Sequence, residues 1–73
     1  MRMIHGTICT VKSGNYAGVT GRLVQDPYDV GAHQMFAMDF PGVDWVTGFG
    51  PDNLRKATLK EELEWRREVM GDA

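Results

Sequence analysis

Hydrophobic and polar residues alternate in two short runs near the start of the chain, 7–12 and 19–25. Alternation with a period of two is typical of a β-strand, because successive side chains face opposite sides of a sheet. The residues between the runs, 13–18, are mostly of turn-forming types and include two glycines. The pattern therefore predicts a β-hairpin whose loop is bounded by glycines.

The first predicted strand divides its side chains between two faces. Cys9 and Val11 are expected to face the core, and the face expected at the surface carries Ile8, Thr10 and Lys12. Cys9 is the single cysteine of the chain, so it is predicted to be a small core residue rather than a reactive thiol. In the second strand, Gly21 is expected where the backbone bends and passes close to another backbone, since a side chain would clash there.

Three further strands are predicted at 33–40, 45–49 and 55–57. In the first of these, Phe36, Met38 and Phe40 share one face, and Phe36, Phe40 and Phe49 are expected to fill the core. The segment 26–32 contains proline, glycine and two aspartates, and is predicted to be an acidic loop. The segment 50–54 predicts one turn of tight helix that directs Leu54 inward.

From Thr58 onward the hydrophobic period changes to that of a helix. Thr58 and Glu61 have the spacing of a capping box, and Gly71 suits the helix end. The apolar positions are Leu59, Leu63, Trp65, Val69 and Met70. This apolar arc is too wide for an isolated helix in water, so the segment 58–73 is predicted to pack on the domain formed by 1–57 or on a second copy of the chain.

The first hairpin resembles the KOW motif, a spaced series of glycines and hydrophobic residues. The residues that match are Gly6, Cys9, Val11, Gly14, Tyr16, Gly18, Gly21 and Leu23. The resemblance covers roughly the first third of the chain. In ribosomal proteins and NusG-type transcription factors the motif lies in an SH3-like barrel that contacts RNA or protein. The resemblance therefore implies a mainly β fold, a small SH3-like barrel of about five strands, to which the sequence adds a C-terminal α-helix.

Length and composition limit what the chain can do. With 73 residues it forms one small domain with a thin core, which leaves little room for an enclosed active site. No run of apolar residues is long enough to span a membrane, and a cytoplasmic protein is expected.

Charge is distributed unevenly although the net charge is only −2. Residues 1–25 contain three basic residues and no acidic one, whereas residues 26–53 contain five aspartates and no basic residue. The remaining residues are balanced. Because nucleic-acid binding depends on a clustered positive face, this chain can offer only a small one.

Few residues suggest chemistry. His5 and Cys9 are four apart on the predicted strand, but a zinc site would need further ligands such as His33 or Asp39 from another strand. Ser13 lies in a turn, where its hydroxyl is expected to bond local backbone rather than act as a nucleophile. No metal, no cofactor and no small-molecule substrate are expected.

One enzyme family also has an SH3-like chain, the plasmid-borne barrel-type dihydrofolate reductases. The fragment Lys12-Ser13-Gly14 matches a segment of that family. Its members line a tetramer pore with a Val-Gln-Ile-Tyr strand, whereas the comparable stretch here, 43–46, reads Val-Asp-Trp-Val and lacks the glutamine and the tyrosine. The sequence therefore predicts a binding module that is not an enzyme.

Two binding functions remain open. The first is a protein-interaction or regulatory module, of the kind that a mobile element can encode, which would use Asp26, Tyr28, Asp29 and Trp45. The second, implied by the KOW resemblance, is an RNA or ribonucleoprotein contact module, which would use Lys12, Tyr16, Arg22, Arg55 and Lys56. The net acidity favours a protein partner, and self-association through the C-terminal helix is a further expectation.

Overall fold

The computed structural model describes residues 3–71, which form a small mainly β domain with a helix at its C-terminal end. Its elements are β1 (Ile8–Val11), β2 (Thr20–Leu23), β3 (Tyr28–Val30), β4 (His33–Asp39), β5 (Thr47–Phe49), a 3₁₀ turn (Pro51–Asn53), β6 (Leu54–Lys56) and α1 (Leu59–Met70). The predicted fold class, mainly β with a C-terminal α-helix, is confirmed. The described residues contain six strands, one more than expected.

All strand pairs are antiparallel, and the strands follow the order β3-β4-β2-β1-β6, with β5 paired to β4. Strand β4 is the longest and organises the sheet, because it pairs with three other strands. Its first residues pair with β3, with Met35 opposite Tyr28, and its last residues pair with β2, with Met38 opposite Leu23. The two ends of β4 therefore lie in different surroundings.

The core is formed by alternate residues of the strands, as the pattern predicts. Its buried members are Cys9, Val11, Leu23, Phe36, Met38, Phe40 and Leu54. The 3₁₀ turn directs Leu54 inward as expected, leaving it 4% exposed. Gly21 also lies where predicted: a Cβ atom placed there would meet the carbonyl of Asp39 and lie 2.6 Å from the ring of Phe40.

The prediction that one face of β1 lies at the surface is wrong. Ile8 and Thr10 are both buried, although they occupy the face opposite Cys9 and Val11. The reason is that α1 lies across this outer face, where a groove between the helix and β2 is lined by Thr20 and Glu61. Strand β1 is thus covered on both sides.

Two other local predictions need correction. The predicted loop 26–32 contains strand β3, which pairs with the start of β4. The predicted strand 45–49 is shorter, because only Thr47–Phe49 pairs with β4, and Trp45 precedes it at the surface.

The helix is capped at both ends as the sequence predicts. The Thr58 hydroxyl accepts a hydrogen bond from the Glu61 backbone N–H at 3.2 Å, and the Glu61 carboxylate accepts one from the Thr58 N–H at 2.8 Å. Gly71 ends the helix in the left-handed conformation, with a φ of 73°. The helix is too short and too polar to cross a membrane, and residues 3–71 contain no other α-helix.

Candidate interaction surface

The β3–β4 hairpin is the most exposed part of the sheet. Gly31 and Ala32 form the two-residue turn between its strands, and Gly31 adopts a φ of 62° that favours glycine. Every residue from Tyr28 to Gln34 is exposed. Because β3 is the last strand in the sheet order, one of its edges has no hydrogen-bonded neighbour among the described strands.

One face of this hairpin is largely apolar. Tyr28 and Val30 lie on the same side of β3, directly opposite Met35 and His33 of β4. A Cβ atom placed on Gly48 of β5 would lie 3.3 Å from the methyl of Met35 and 3.8 Å from the hydroxyl of Tyr28. The Tyr28 side chain therefore extends across β4 toward β5, over a position that carries no side chain of its own.

The other face of the hairpin is acidic. Asp29 pairs with Gln34, so the two side chains share a face. Asp26 lies just before β3, where one of its carboxylate oxygens accepts a hydrogen bond from the His5 backbone N–H at 2.8 Å. The structure thus brings three of the four predicted protein-binding residues, Asp26, Tyr28 and Asp29, to one hairpin and its entry.

Trp45, the fourth of these residues, lies elsewhere. Its side chain is 61% exposed, so it belongs to the surface. Tyr28 is opposite Met35, whereas Thr47 is opposite Met38 and Trp45 lies further toward the end of β4. At about 3.3 Å per residue, Tyr28 and Trp45 are separated by roughly 10 Å or more along the strand.

The predicted RNA-binding residues do not all lie on one face. Lys12 directly follows β1 and is exposed. Arg22 and Arg55 lie on the outer side of the sheet with Thr10, whereas Lys56 is opposite Cys9 on the other side. Arg22 is directly opposite Asp39 in the strand pairing. Positive charge is therefore divided between two sides of the sheet, and part of it lies beside carboxylates.

Arg55 forms an ion pair with Glu61. Its Nη1 and Nη2 donate hydrogen bonds to the two carboxylate oxygens of Glu61, each at 2.7 Å. These hydrogen bonds, with others from the Thr58 N–H and the Thr10 hydroxyl, lower the pKa of Glu61 to about 2, and the same pair raises the pKa of Arg55. The pair joins β6 to the first turn of α1 and therefore has a structural role.

Tyr16 belongs to the core margin rather than to an open loop. Its ring is half-buried and stacks on Phe40 with the centroids 5.2 Å apart and the planes 10° from parallel. Phe49 meets the same ring edge-on at 6.0 Å. One face of Tyr16 is therefore occupied by protein and is closed to a nucleic-acid base.

The residues considered for chemistry are dispersed. His5 lies in a turn before β1 and is exposed, while Cys9 is fully buried, so the two do not face the same space. Burial raises the pKa of the Cys9 thiol to about 11, against a smaller opposing effect of Lys56, and the thiol is protonated at neutral pH. Within residues 3–71 no three His, Cys, Asp or Glu side chains are grouped to hold a metal.

Ser13 has a structural partner, but not the one expected. Its hydroxyl accepts a hydrogen bond from the side-chain amide of Asn53 at 2.8 Å, which ties the first hairpin loop to the 3₁₀ turn. The interaction joins residues forty positions apart rather than neighbouring backbone.

A second exposed apolar surface lies on α1. It consists of Leu59, Leu63 and Met70, here called the helix stripe, and faces away from the sheet. Trp65, half-buried, lies on the side of the helix that meets Arg22 and Phe40. The helix thus packs on the sheet through a mixed surface and leaves much of its apolar arc in solvent.

The sequence did not predict that Val30 lies beside Tyr28 on the exposed face of a strand. The alternation of Tyr28, Asp29 and Val30 was a signal for a short strand, but the neighbouring proline and glycine outweighed it.

Comparisons of the chain with known protein families, with curated proteins and with solved structures found no match. The resemblance to the KOW motif therefore stays a prediction.

Proposed function

We propose that the chain is a non-catalytic protein-binding module that contacts its partner through the β3–β4 hairpin. The observation that carries this proposal is an exposed edge strand on which Tyr28 and Val30 face one side and Asp29 faces the other. Aromatic side chains on a rigid strand supply contact area at little conformational cost, and surrounding charges select the partner. An edge strand also offers backbone groups to which a partner strand can pair.

The distribution of charge supports a protein rather than an RNA partner. Arg55 is held by Glu61, Arg22 faces Asp39, and Lys56 lies on the opposite side of the sheet. A polyanion would meet a divided positive surface and, at the hairpin, exposed aspartates. Electrostatic attraction to phosphates is therefore weak on either side.

The helix stripe supports self-association less strongly. Three exposed side chains on one twelve-residue helix cover a small area, whereas a stable pair of proteins buries about 1,200 Å² or more in total. Dimer formation through α1 stays a prediction, and analytical ultracentrifugation of the full chain tests it.

Affinity capture from the native cell extract, with and without nuclease, tests the proposed function. Tyr28→Ala is expected to weaken recovery of a specific partner by roughly 5- to 30-fold in apparent Kd, which corresponds to about 1 to 2 kcal/mol. Asp44→Ala, an exposed substitution in the turn before β5, is the control and is expected to leave recovery unchanged.

The opposite result is equally clear. The RNA function would be established in place of this one if nuclease abolished recovery, if Lys12→Glu combined with Arg22→Glu also abolished it, and if Tyr28→Ala left it unchanged.

A further inference from the structure

A groove opens beside the start of β3, on the face that Gln34 shares with Asp29. Its lining is mainly apolar and consists of Met3, Ile4, Asp26, Pro27, Gln34, Phe36 and Pro51. The two polar members, Asp26 and Gln34, place a carboxylate and an amide among apolar side chains. A mixed lining of this kind suits side chains from a partner better than it suits a fully apolar ligand.

The charged residue among those that line the groove is acidic. Asp26 is in the lining, Asp29 shares the face of Gln34, and Asp52 directly follows Pro51. None of the lining residues is a lysine or an arginine. Two exposed histidines adjoin lining residues in sequence, because His5 follows Ile4 and His33 precedes Gln34. A partner segment with positive charge is therefore favoured, and an acidic segment is repelled.

The backbone beside the groove favours an extended partner. Strand β3 is paired on one side only, so an extended segment can lie along its free edge. Side chains of such a segment alternate, and every second one projects toward the groove face. On that face these side chains can contact Asp29 and the apolar lining residues Ile4 and Phe36.

We infer that the groove binds an extended peptide segment of a partner protein in which apolar side chains are accompanied by lysine or arginine. This inference rests on the protein-binding function proposed above and specifies the class of its partner. A second copy of the chain is a poorer occupant, because its own exposed apolar stripe is helical and is flanked by charges of both signs, such as Glu62 and Arg67.

Selection from a random octapeptide display library on the full chain tests the inference. The selected peptides are expected to be enriched in lysine or arginine together with apolar residues, and depleted in aspartate and glutamate. When the most enriched peptide is titrated into labelled protein, the largest amide shifts are expected at Ile4, Asp29 and Gln34.

Matched substitutions then separate the groove from general charge. Asp29→Lys combined with Asp52→Lys is expected to weaken binding of that peptide about tenfold or more, with the loss reduced at high salt. Asp44→Lys with Glu68→Lys makes the same change in net charge at exposed positions that do not line the groove, and is expected to alter binding less than about twofold. Ile4→Ser, without any change in charge, is expected to weaken binding as well.

Several results would overturn the inference. They are selection of no peptide, selection of acidic peptides, amide shifts centred on the helix stripe, and equal effects of the two charge reversals. If the native partner is captured through Tyr28 but the selected peptide does not compete with it, the partner class is wrong and the binding function stands. If Tyr28→Ala has no effect on capture either, the proposed function itself fails.

Discussion

The two ends of strand β4 meet the solvent in opposite ways. At its Asp39 end the sheet is flanked by α1, Arg22 is opposite Asp39, and Trp65 lines a groove together with Phe40. At its His33 end the sheet is bare, with β3 as a free edge and an apolar face that nothing in the described chain covers. We call the Asp39 end of the sheet, with α1, the covered half, and the His33 end, with β3, the open half. The covered half contributes mainly to stability, and the open half is exposed for contact.

The two halves differ in whether their polar and charged side chains interact with one another. In the covered half, Arg55 and Glu61 satisfy each other through two hydrogen bonds, and Thr10 and Thr20 join their hydroxyls at 2.7 Å. In the open half, Asp26 accepts one backbone hydrogen bond and Asp29 is exposed on the strand. Substitutions in the covered half should therefore change the free energy of unfolding, and those in the open half should change binding.

The largest effect on stability is expected at Gly21, where β2 passes close to the end of β4. Gly21→Ala would press a methyl group against the Asp39 carbonyl and the Phe40 ring, and is expected to destabilise the domain by about 2 to 3 kcal/mol. Chemical denaturation measures this. Gly50→Ala is the matched control, because its Cβ would lie 3.5 Å from the nearest atom, an ordinary contact; equal unfolding midpoints for the two variants would contradict the packing described here.

The two sides of α1 should differ by a smaller amount. Trp65→Ala removes a half-buried side chain that faces the sheet and is expected to cost about 1 to 2 kcal/mol. Leu59→Ala removes one that is 74% exposed and is expected to cost under about 0.5 kcal/mol. If the two substitutions lower stability equally, the helix packs on the sheet through another face.

The helix cap provides a third comparison within the covered half. Thr58→Ala removes the hydroxyl that accepts the Glu61 N–H, and is expected to cost about 1 kcal/mol, seen in thermal melts followed by circular dichroism. Thr58→Ser retains the acceptor and should melt close to the native chain. A Thr58→Ser variant as unstable as Thr58→Ala would show that the methyl group, not the cap, matters.

Lowering the pH should reduce the free energy of unfolding through protonation of Glu61. Its pKa is about 2 in the folded protein, below the ordinary 4.5, so its ionised form stabilises the fold fully above about pH 4.5 and progressively less as the pH falls toward 2. Glu61→Gln should be less stable than the native chain near neutrality and should lose less stability between about pH 5 and pH 2.5. Parallel pH profiles for the two proteins would rule out this contribution.

Much of the fold could be predicted because its signals are local. The alternation in 33–40, the capping residues Thr58 and Glu61 and the inward Leu54 are all set within a few residues, and the structure places them as expected. The burial of Thr10 could not be predicted, because its cover is a helix about fifty residues further along the chain. A period of two shows which residues share a face but not whether that face is covered.

The candidate site was predictable only in part, for a similar reason. Asp26 and Tyr28 were recognised from composition, but β3 is only three residues long, and turn-forming residues flank it. The division of the basic residues depends on strand register, which sets Arg22 opposite Asp39 and Lys56 opposite Cys9. Register between distant strands cannot be read from a count of charges.

The double role of the Glu61 carboxylate limits how the length of this chain can vary. It caps the helix at Thr58 and also holds Arg55 in β6, so it fixes the rotation of α1 about its own axis. One residue inserted between Lys56 and Thr58 would lengthen this non-helical connection by up to about 3.5 Å and is expected to separate the carboxylate from Arg55. We expect related chains to differ in length in the loops 13–18 and 41–46, while the connection between β6 and α1 keeps its length.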